Sequence, residues 1–497
     1  MLSIDWFRGK KITVMGLGVH GGGLGTAKWL LAHGAAVTVT DLQDQKALAA
    51  SVRGLDAYFS KIRRQSSQPT APGPKLRYVL GKHDESDFTD ADMILRNPAV
   101  PRGNPLIAAA ERSGVPIESD ISIFFQLCPF PITAVTGTKG KTTVTTLLAE
   151  IARLHDRRTV VGGNIRINPL GALNRLLKLS AKISASPHLR VSAPPVVLEL
   201  SSWQLESLER HRVSAHVSVV TNVKEDHLNR YDGIEDYARA KELNVMFHCA
   251  DDIAVLNADD FRVAAMAKTG RGRALWFSVK PLPKGRDGIF PRSGSVVLRF
   301  AGREESLFPL SDIKVPGEHN LANVLAAVAA AKSMGVPNAT VRRGVRAFRG
   351  APGRLEVVAV KRGVSYVNDT TATMPDASQA AMRALGPGSR RKLVLIAGGA
   401  DKALRFDDWA KDVARYVKFL VLFDGTATPK IEAELAKFAA RVPRAKAESM
   451  KEAVQLAAAE ARRGDIVLLS PACASFGLFR HEFDRGNRFV RAVLQLK

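Results

Sequence analysis

The chain keeps returning to one unit: a short apolar run, a glycine-bearing turn, then an amphipathic stretch at helical spacing. KITVMGLG (11–18) leads into a helix over 26–33, and AVTVTD (36–41) follows. PITAVTG (131–137) leads into VTTLLAEIARL (144–154), where Val144, Leu147, Leu148, Ile151 and Leu154 share one helical face. Further strand-like runs stand at VVLEL (196–200), VSVVTNV (217–223), DIAVLN (252–257), KLVLIAGG (392–399), FLVLFDG (419–425) and DIVLLSP (465–471). Strands alternating with helices predict an α/β chain with mainly parallel sheets.

At 497 residues the chain is long enough for about three domains. Turn-rich CPFPIT (128–133) and FRGAPGR (348–354) divide it into blocks 1–130, 131–350 and 351–497. RRQSSQPTAPGPK (63–75), SAKISASPHLRVSAPP (180–195) and KPLPKGRDGIFPRSGS (280–295) read as surface insertions.

Composition narrows the function classes. No apolar run reaches the roughly 18 residues of a membrane span, and the start lacks a signal-peptide core. Cys128, Cys249 and Cys473 lie far apart, as free thiols of a reducing compartment would, which predicts a cytoplasmic protein. The net charge is +24, but Lys and Arg are scattered and aromatics make up only 6%. That distribution suits phosphorylated small molecules better than a nucleic-acid surface.

Four motifs carry chemistry. TGTKGKTT (136–143) ends like a phosphate loop, yet Val135 stands where the first glycine of G-x-x-x-x-G-K-[ST] belongs. It nevertheless joins a strand to a helix, so its backbone N–H groups, Lys141 and Thr142 suit phosphates and Mg²⁺. GLGVHG (16–21) fits G-x-G-x-x-G, with Asp41 ending the next strand; NAD, another nucleotide diphosphate, or a plain turn all remain open for it. ELSSWQLE (199–206) places Glu199 at a strand end, where a carboxylate can hold Mg²⁺ or face solvent. TNVKEDHLNRYDG (221–233) puts Asp226 and His227 in the loop after another strand.

Taken together these stretches resemble the Mur ligase family, ATP-dependent ligases that extend the peptidoglycan peptide. GTKGKTT is similar to that family's shorter phosphate loop, which usually has Asn at the place of Lys139. GGNI (162–165), YARAK (237–241), PGEHNLANVLAA (316–327), GRLE (353–356), NDTTAT (368–373), AGGADK (397–402) and LLSPACASF (468–476) follow in the family's order, over nearly the whole chain. ELSSWQLE, LLSPACASF and the GLG-containing first block look most like the branch that adds D-glutamate.

The resemblance implies a Rossmann-like first domain for a UDP-sugar, a central P-loop-type ATPase sheet, and a Rossmann-like third domain for the amino acid. It implies Gly18, Val19, His20, Asp41, Asn97 (of NPAVP, 97–101) and Asn164 at the UDP-sugar substrate. ATP would meet Gly137, Thr138, Lys139, Gly140, Lys141, Thr142, Thr143, Asn320, Asn323, Arg354 and Asp369. Thr142, Glu199, His227 and a carbamylated Lys241 would hold two Mg²⁺ ions, with Lys141, Lys241 and His227 closest to the chemistry. Thr373, Lys402 and Ser475 would receive the amino acid.

The implied reaction joins D-glutamate to UDP-N-acetylmuramoyl-L-alanine through an acyl phosphate, in a monomer that contacts neither membrane nor nucleic acid. A ligase of the same fold adding another amino acid, a folylpolyglutamate-type ligase and an NAD-dependent oxidoreductase are the alternatives. Arg166, Thr371 and the Glu482–Phe483 pair depart from the family pattern, the last two at the amino-acid end.

Overall fold

The computed structural model describes residues 2–18, 22–65, 73–101, 103–165, 167–185, 193–225, 230–388, 391–402, 404–475 and 477–496. Val19, His20, Arg166 and His227 lie outside the described residues. The chain forms two compact units: Met1–Ile313 with Glu318–Arg346, and Lys314–Gly317 with Ala347–Lys497.

The first unit carries two sheets. The first contains β1 (Lys11–Met15), β2 (Ala36–Asp41), β3 (Lys75–Leu80), β4 (Met93–Arg96) and β5 (Ile117–Glu118), all parallel, in the order β3-β2-β1-β4-β5. The chain reverses its direction of travel across the sheet between β1 and β4. Such a switch point opens a crevice at the carboxyl ends of the strands.

The second sheet comprises β6 (Ile132–Thr136), β7 (Val160–Gly163), β8 (Val196–Glu199), β9 (Val217–Val220), β10 (Ile253–Asn257), β11 (Arg273–Phe277), β12 (Gly288–Arg292), β13 (Ser295–Phe300) and β14 (Arg303–Pro309). Its order is β14-β13-β12-β11-β10-β9-β6-β8-β7, so β6 lies between β8 and β9. Val135 is in register with Glu199, and Thr136 with Val220. Every residue of β6 is buried, as suits a central parallel strand covered on both faces.

The helix Lys141–His155 covers this sheet with Val144, Leu147, Leu148 and Ile151, all fully buried. Leu154, expected on the same face, is 41% exposed in the last turn. Beside it packs the helix Glu318–Ser333, buried all round from Asn323 to Ala331 because its residues there are mostly alanine. One continuous core joins the two sheets, running from Ala27 and Leu30 through Phe124 and Leu127 to Ile132 and Leu198. Asn168 reinforces it, donating from Nδ2 to Gly22 O at 3.0 Å and to Thr26 Oγ1 at 2.8 Å.

The expected insertion at 280–295 is in part regular structure. β12 pairs parallel with β11, then starts an antiparallel meander with β13 and β14. Residues 63–65 and 180–185 likewise complete the helices Ala49–Gln65 and Leu170–Ala185.

The second unit holds one sheet: β15 (Glu356–Lys361), β16 (Val364–Asn368), β17 (Leu393–Gly398), β18 (Val417–Phe423), β19 (Arg444–Ala447) and β20 (Ile466–Leu469). The order is β15-β16-β20-β17-β18-β19, parallel except for the β15–β16 hairpin. Its central strand β17 is buried throughout.

Candidate active site

The segment 137–140 leaves β6 and enters the helix Lys141–His155 through two glycines at positive φ. Gly137 has φ +141°, and a Cβ there would sit 1.9 Å from Thr221 Oγ1; Gly140 has φ +88°, and its Cβ would sit 2.2 Å from Asn323 Oδ1. Neither position admits a side chain without displacement. The loop is held from the end of β9. Asn222 accepts from Lys139 N through Oδ1 at 2.9 Å and donates from Nδ2 to Lys139 O at 3.0 Å. Thr221 Oγ1 donates to the same carbonyl at 2.7 Å, and Thr138 N donates to Asn222 O at 2.8 Å. Position 139 is therefore clasped by its backbone. Lys141 Nζ folds over the loop, donating to Gly137 O at 2.8 Å and Thr138 O at 2.9 Å. An ammonium so placed lies beside any phosphate that the loop cradles. Thr142 follows in the first turn, half-buried.

Strand β8 delivers Glu199, 1% exposed, beside this loop. Asn164 donates from Nδ2 to Glu199 Oε1 at 2.8 Å and from its backbone N to Glu199 O at 2.8 Å. Glu199 Oε2 is buried, and among the described residues no hydrogen-bond donor reaches it. A buried carboxylate oxygen without a donor is costly unless a cation faces it, so the residue fits a divalent metal. Among the described residues no group of three or more His, Cys, Asp or Glu side chains surrounds a single point. The helix Ile234–Met246 contributes Lys241, 1% exposed, whose Nζ donates to Gly137 O at 3.1 Å and lies 4.2 Å from the Tyr237 ring.

A cavity of about 770 Å³ links these groups to the first sheet. It runs from Gly18, Asp41 and Asn97 to Asn164, Lys141 and Lys241. Asp41 is occupied locally: Oδ2 accepts from Gly18 N at 3.1 Å and Oδ1 from Gln43 N at 2.9 Å. Asn97 holds its own turn, accepting from Ala99 N at 3.0 Å and donating to Gly16 O at 3.3 Å. Asp120 also lines the cavity, and burial pushes its carboxyl up to about 6. Asn320 and Asn323 stand one helical turn apart, 3.4 Å from Nδ2 of the second to Oδ1 of the first.

In the second unit, Lys402 Nζ donates to Thr373 Oγ1 at 3.1 Å. An isolated bridge between Ala400 and Ala474 sets the Lys402 loop beside Ser475, which is buried. Asp369 follows β16 with both oxygens satisfied, from Leu355 N at 3.2 Å and Ser470 Oγ at 2.8 Å. Burial raises its carboxyl to about 7, opposed by those two donors and by the Arg354 charge. Thr371 closes a turn by donating to Gly353 O at 2.8 Å.

Sequence reasoning brought Gly137–Thr143, Glu199, Asn164 and Lys241 to this region, and they do lie together. It passed over Thr221 and Asn222, although TNVKEDH was singled out for Asp226 and His227. The signal was there in form: Asn after an apolar strand is a turn-binding residue.

Comparison with known proteins covers the chain in three stretches. Residues 10–119 match the "Mur ligase MurD-like, N-terminal domain", 135–331 the "Mur ligase middle domain", and 353–473 the "Mur ligase, glutamate ligase domain". A UDP-N-acetylmuramoylalanine–D-glutamate ligase of Roseiflexus sp. (strain RS-1) is 42% identical over 98% of both chains. One from Symbiobacterium thermophilum is 38% identical over 97% of this chain and 98% of its own. The solved UDP-N-acetylmuramate-alanine ligase of Thermotoga maritima shares the fold, with a TM-score of 0.56 at 20% identity over 98% of this chain and 100% of that one.

Proposed function

The chain belongs to the Mur ligase family, and on that premise we propose that it joins D-glutamate to UDP-N-acetylmuramoyl-L-alanine with consumption of ATP, a step of peptidoglycan precursor synthesis. The observation that carries this reading is near-full-length similarity to ligases of that name, combined with a cavity that brings Lys141 of the phosphate-loop motif together with Lys241 and with Asn164, the partner of the buried Glu199 carboxylate.

The substrate carboxylate is a poor electrophile. Its oxygen attacks the γ-phosphorus of ATP, the bond to the β-phosphate oxygen breaks, and ADP leaves. The D-glutamate amine then attacks the acyl carbon of the resulting acyl phosphate, expels inorganic phosphate and loses a proton as the amide forms. Phosphoryl transfer needs positioning and charge neutralisation above all. The backbone N–H groups of 140–143, at the start of the helix, and the Lys141 ammonium serve the phosphates, while those of Thr138 and Lys139 hold the loop to Asn222. Mg²⁺ supplies further charge neutralisation when bound, and Glu199, Thr142, His227 and Lys241 are the residues assigned to hold it, as two ions.

Lys241, buried beside Gly137, is assigned a carbamate, which would turn its cationic head into an anion able to face Mg²⁺. Gly18, Val19, His20, Asp41, Asn97 and Asn164 are assigned to the UDP-sugar, and Asn320, Asn323, Arg354 and Asp369 to the nucleotide. Thr373, Lys402 and Ser475 are assigned to D-glutamate, with the Lys402 ammonium facing a carboxylate. The amine's base has no assigned residue. The division 1–130, 131–350 and 351–497 into UDP-sugar, ATP and amino-acid domains follows, as does a cytoplasmic monomer. Among the described residues no helix is long and apolar enough to cross a membrane.

The test is phosphate release with UDP-N-acetylmuramoyl-L-alanine and ATP across a panel of amino acids. D-Glutamate should be the best acceptor; preference for L-lysine or a diamino acid would move the chain to another branch of the family.

A further inference from the structure

The cavity's nucleotide-sugar end is shaped by the turn 97–101, and one side chain from the central sheet grips that turn. Arg230 donates from Nη1 to Pro98 O at 3.1 Å and from Nη2 to Val100 O at 3.4 Å. Its guanidinium lies 4.2 Å from the Trp203 ring centre, and Nη2 lies 3.8 Å from Glu206 Oε2. Glu206 is buried, and its Oε1 accepts from Tyr231 OH at 2.6 Å. The Arg230 side chain is 14% exposed. Three stretches far apart in sequence thus meet on one guanidinium: 98–100 after β4, 203–206 after β8, and 230–231 after β9.

The geometry needs arginine. A planar fork reaches two carbonyls of one turn while its face stacks on an indole, whereas a lysine ammonium is a point charge that cannot do both. Among the described residues, the turn's other hydrogen bonds from Asn97 are local to the first sheet, to Met15 O, Gly16 O, Ala99 N and Val100 N. Those fix the shape of the turn. Arg230 fixes where it stands relative to the phosphate loop, on a segment that begins just past His227.

We infer that Arg230 is a positioning residue: it sets the 97–101 turn, and with it the bound sugar nucleotide, at the distance from which the substrate carboxylate reaches the phosphate loop. This rests on assigning the cavity to the UDP-sugar substrate. Arg230 itself need not touch either substrate.

The experiment is R230K in the full chain, read two ways. Without substrate, amide exchange at Ala99 and Val100 should quicken by about tenfold or more, with the N–H groups of β6 unchanged. In turnover, KM for UDP-N-acetylmuramoyl-L-alanine should rise about 10- to 100-fold, with KM for ATP within about twofold. Unchanged exchange at the turn, or equal rises in both KM values together with faster exchange throughout, would overturn the inference. Should R230K fail to fold, Trp203→Leu removes the stacking face and should move the exchange reading at Ala99 and Val100 the same way by less; because Trp203 also lines the cavity, exchange alone decides there, and unchanged exchange would overturn the inference. The exchange reading uses no substrate. It therefore decides the clamp even where the wild-type chain fails to bind UDP-N-acetylmuramoyl-L-alanine, an outcome that would overturn the substrate assignment instead.

Discussion

Replacing Gly140 with Ala tests whether the shortened phosphate loop works as its geometry says. Two costs add. An L-residue at φ +88° is in the left-handed region, worth about 1–2 kcal/mol. The new Cβ also falls 2.2 Å from Asn323 Oδ1, so Asn323 must leave its rotamer, worth about 1 kcal/mol. An empty loop can relax and relieve both; a loop wrapped on phosphates cannot, so the cost falls on nucleotide binding. The sum of about 2–3 kcal/mol corresponds to roughly 30- to 150-fold weaker binding of a nonhydrolysable ATP analogue by calorimetry. In an Asn323→Ala background the clash disappears and the strain stays, so the same Gly140→Ala change should cost only about 5- to 30-fold. Equal effects in the two backgrounds would refute the close approach to Asn323, and unchanged binding in both would refute the loop assignment.

Three further changes probe other parts of the site. Glu199→Ala should lower kcat by about 100-fold or more and move the Mg²⁺ requirement to higher concentration; an unaltered Mg²⁺ titration would remove Glu199 from the metal. Lys402→Ala should raise KM for D-glutamate by roughly 10- to 150-fold through loss of a charge-assisted hydrogen bond, with KM for ATP unchanged. An altered KM for ATP with an unaltered KM for D-glutamate would contradict the assignment. Asp120 titrates near 6 when folded and near 3.9 when unfolded, so the folded chain binds the extra proton and loses stability as pH rises from about 4 to about 6. Asp120→Asn removes that loss. Its unfolding temperature should gain on the wild type across that window, and a pH-independent difference would contradict the buried carboxyl.

Much of the fold could be read because its central strands are buried on both faces and stand out as apolar runs, as β6, β8 and β17 do. β3 escaped notice because KLRYVL is an edge strand with alternating exposure. β12 escaped because GIFPR sits among Gly, Pro and Arg residues that look like a loop. Within the site, the phosphate loop and Glu199 are local motifs at strand ends and could be read directly. Their supports could not be. Asn222 meets Lys139 only because β9 lies beside β6, and Arg230 meets Pro98 across 132 residues of chain. Contacts of that kind follow from sheet order, which a local pattern does not specify.

The central claim is that the phosphate loop serves to activate a carboxylate. UDP-N-acetylmuramoyl-L-alanine labelled with ¹⁸O in its alanyl carboxylate, incubated with ATP, D-glutamate and the wild-type chain, tests it directly. The account predicts ADP, and inorganic phosphate carrying one ¹⁸O for each amide formed. Unlabelled phosphate accompanying product, or label appearing in AMP, would contradict it.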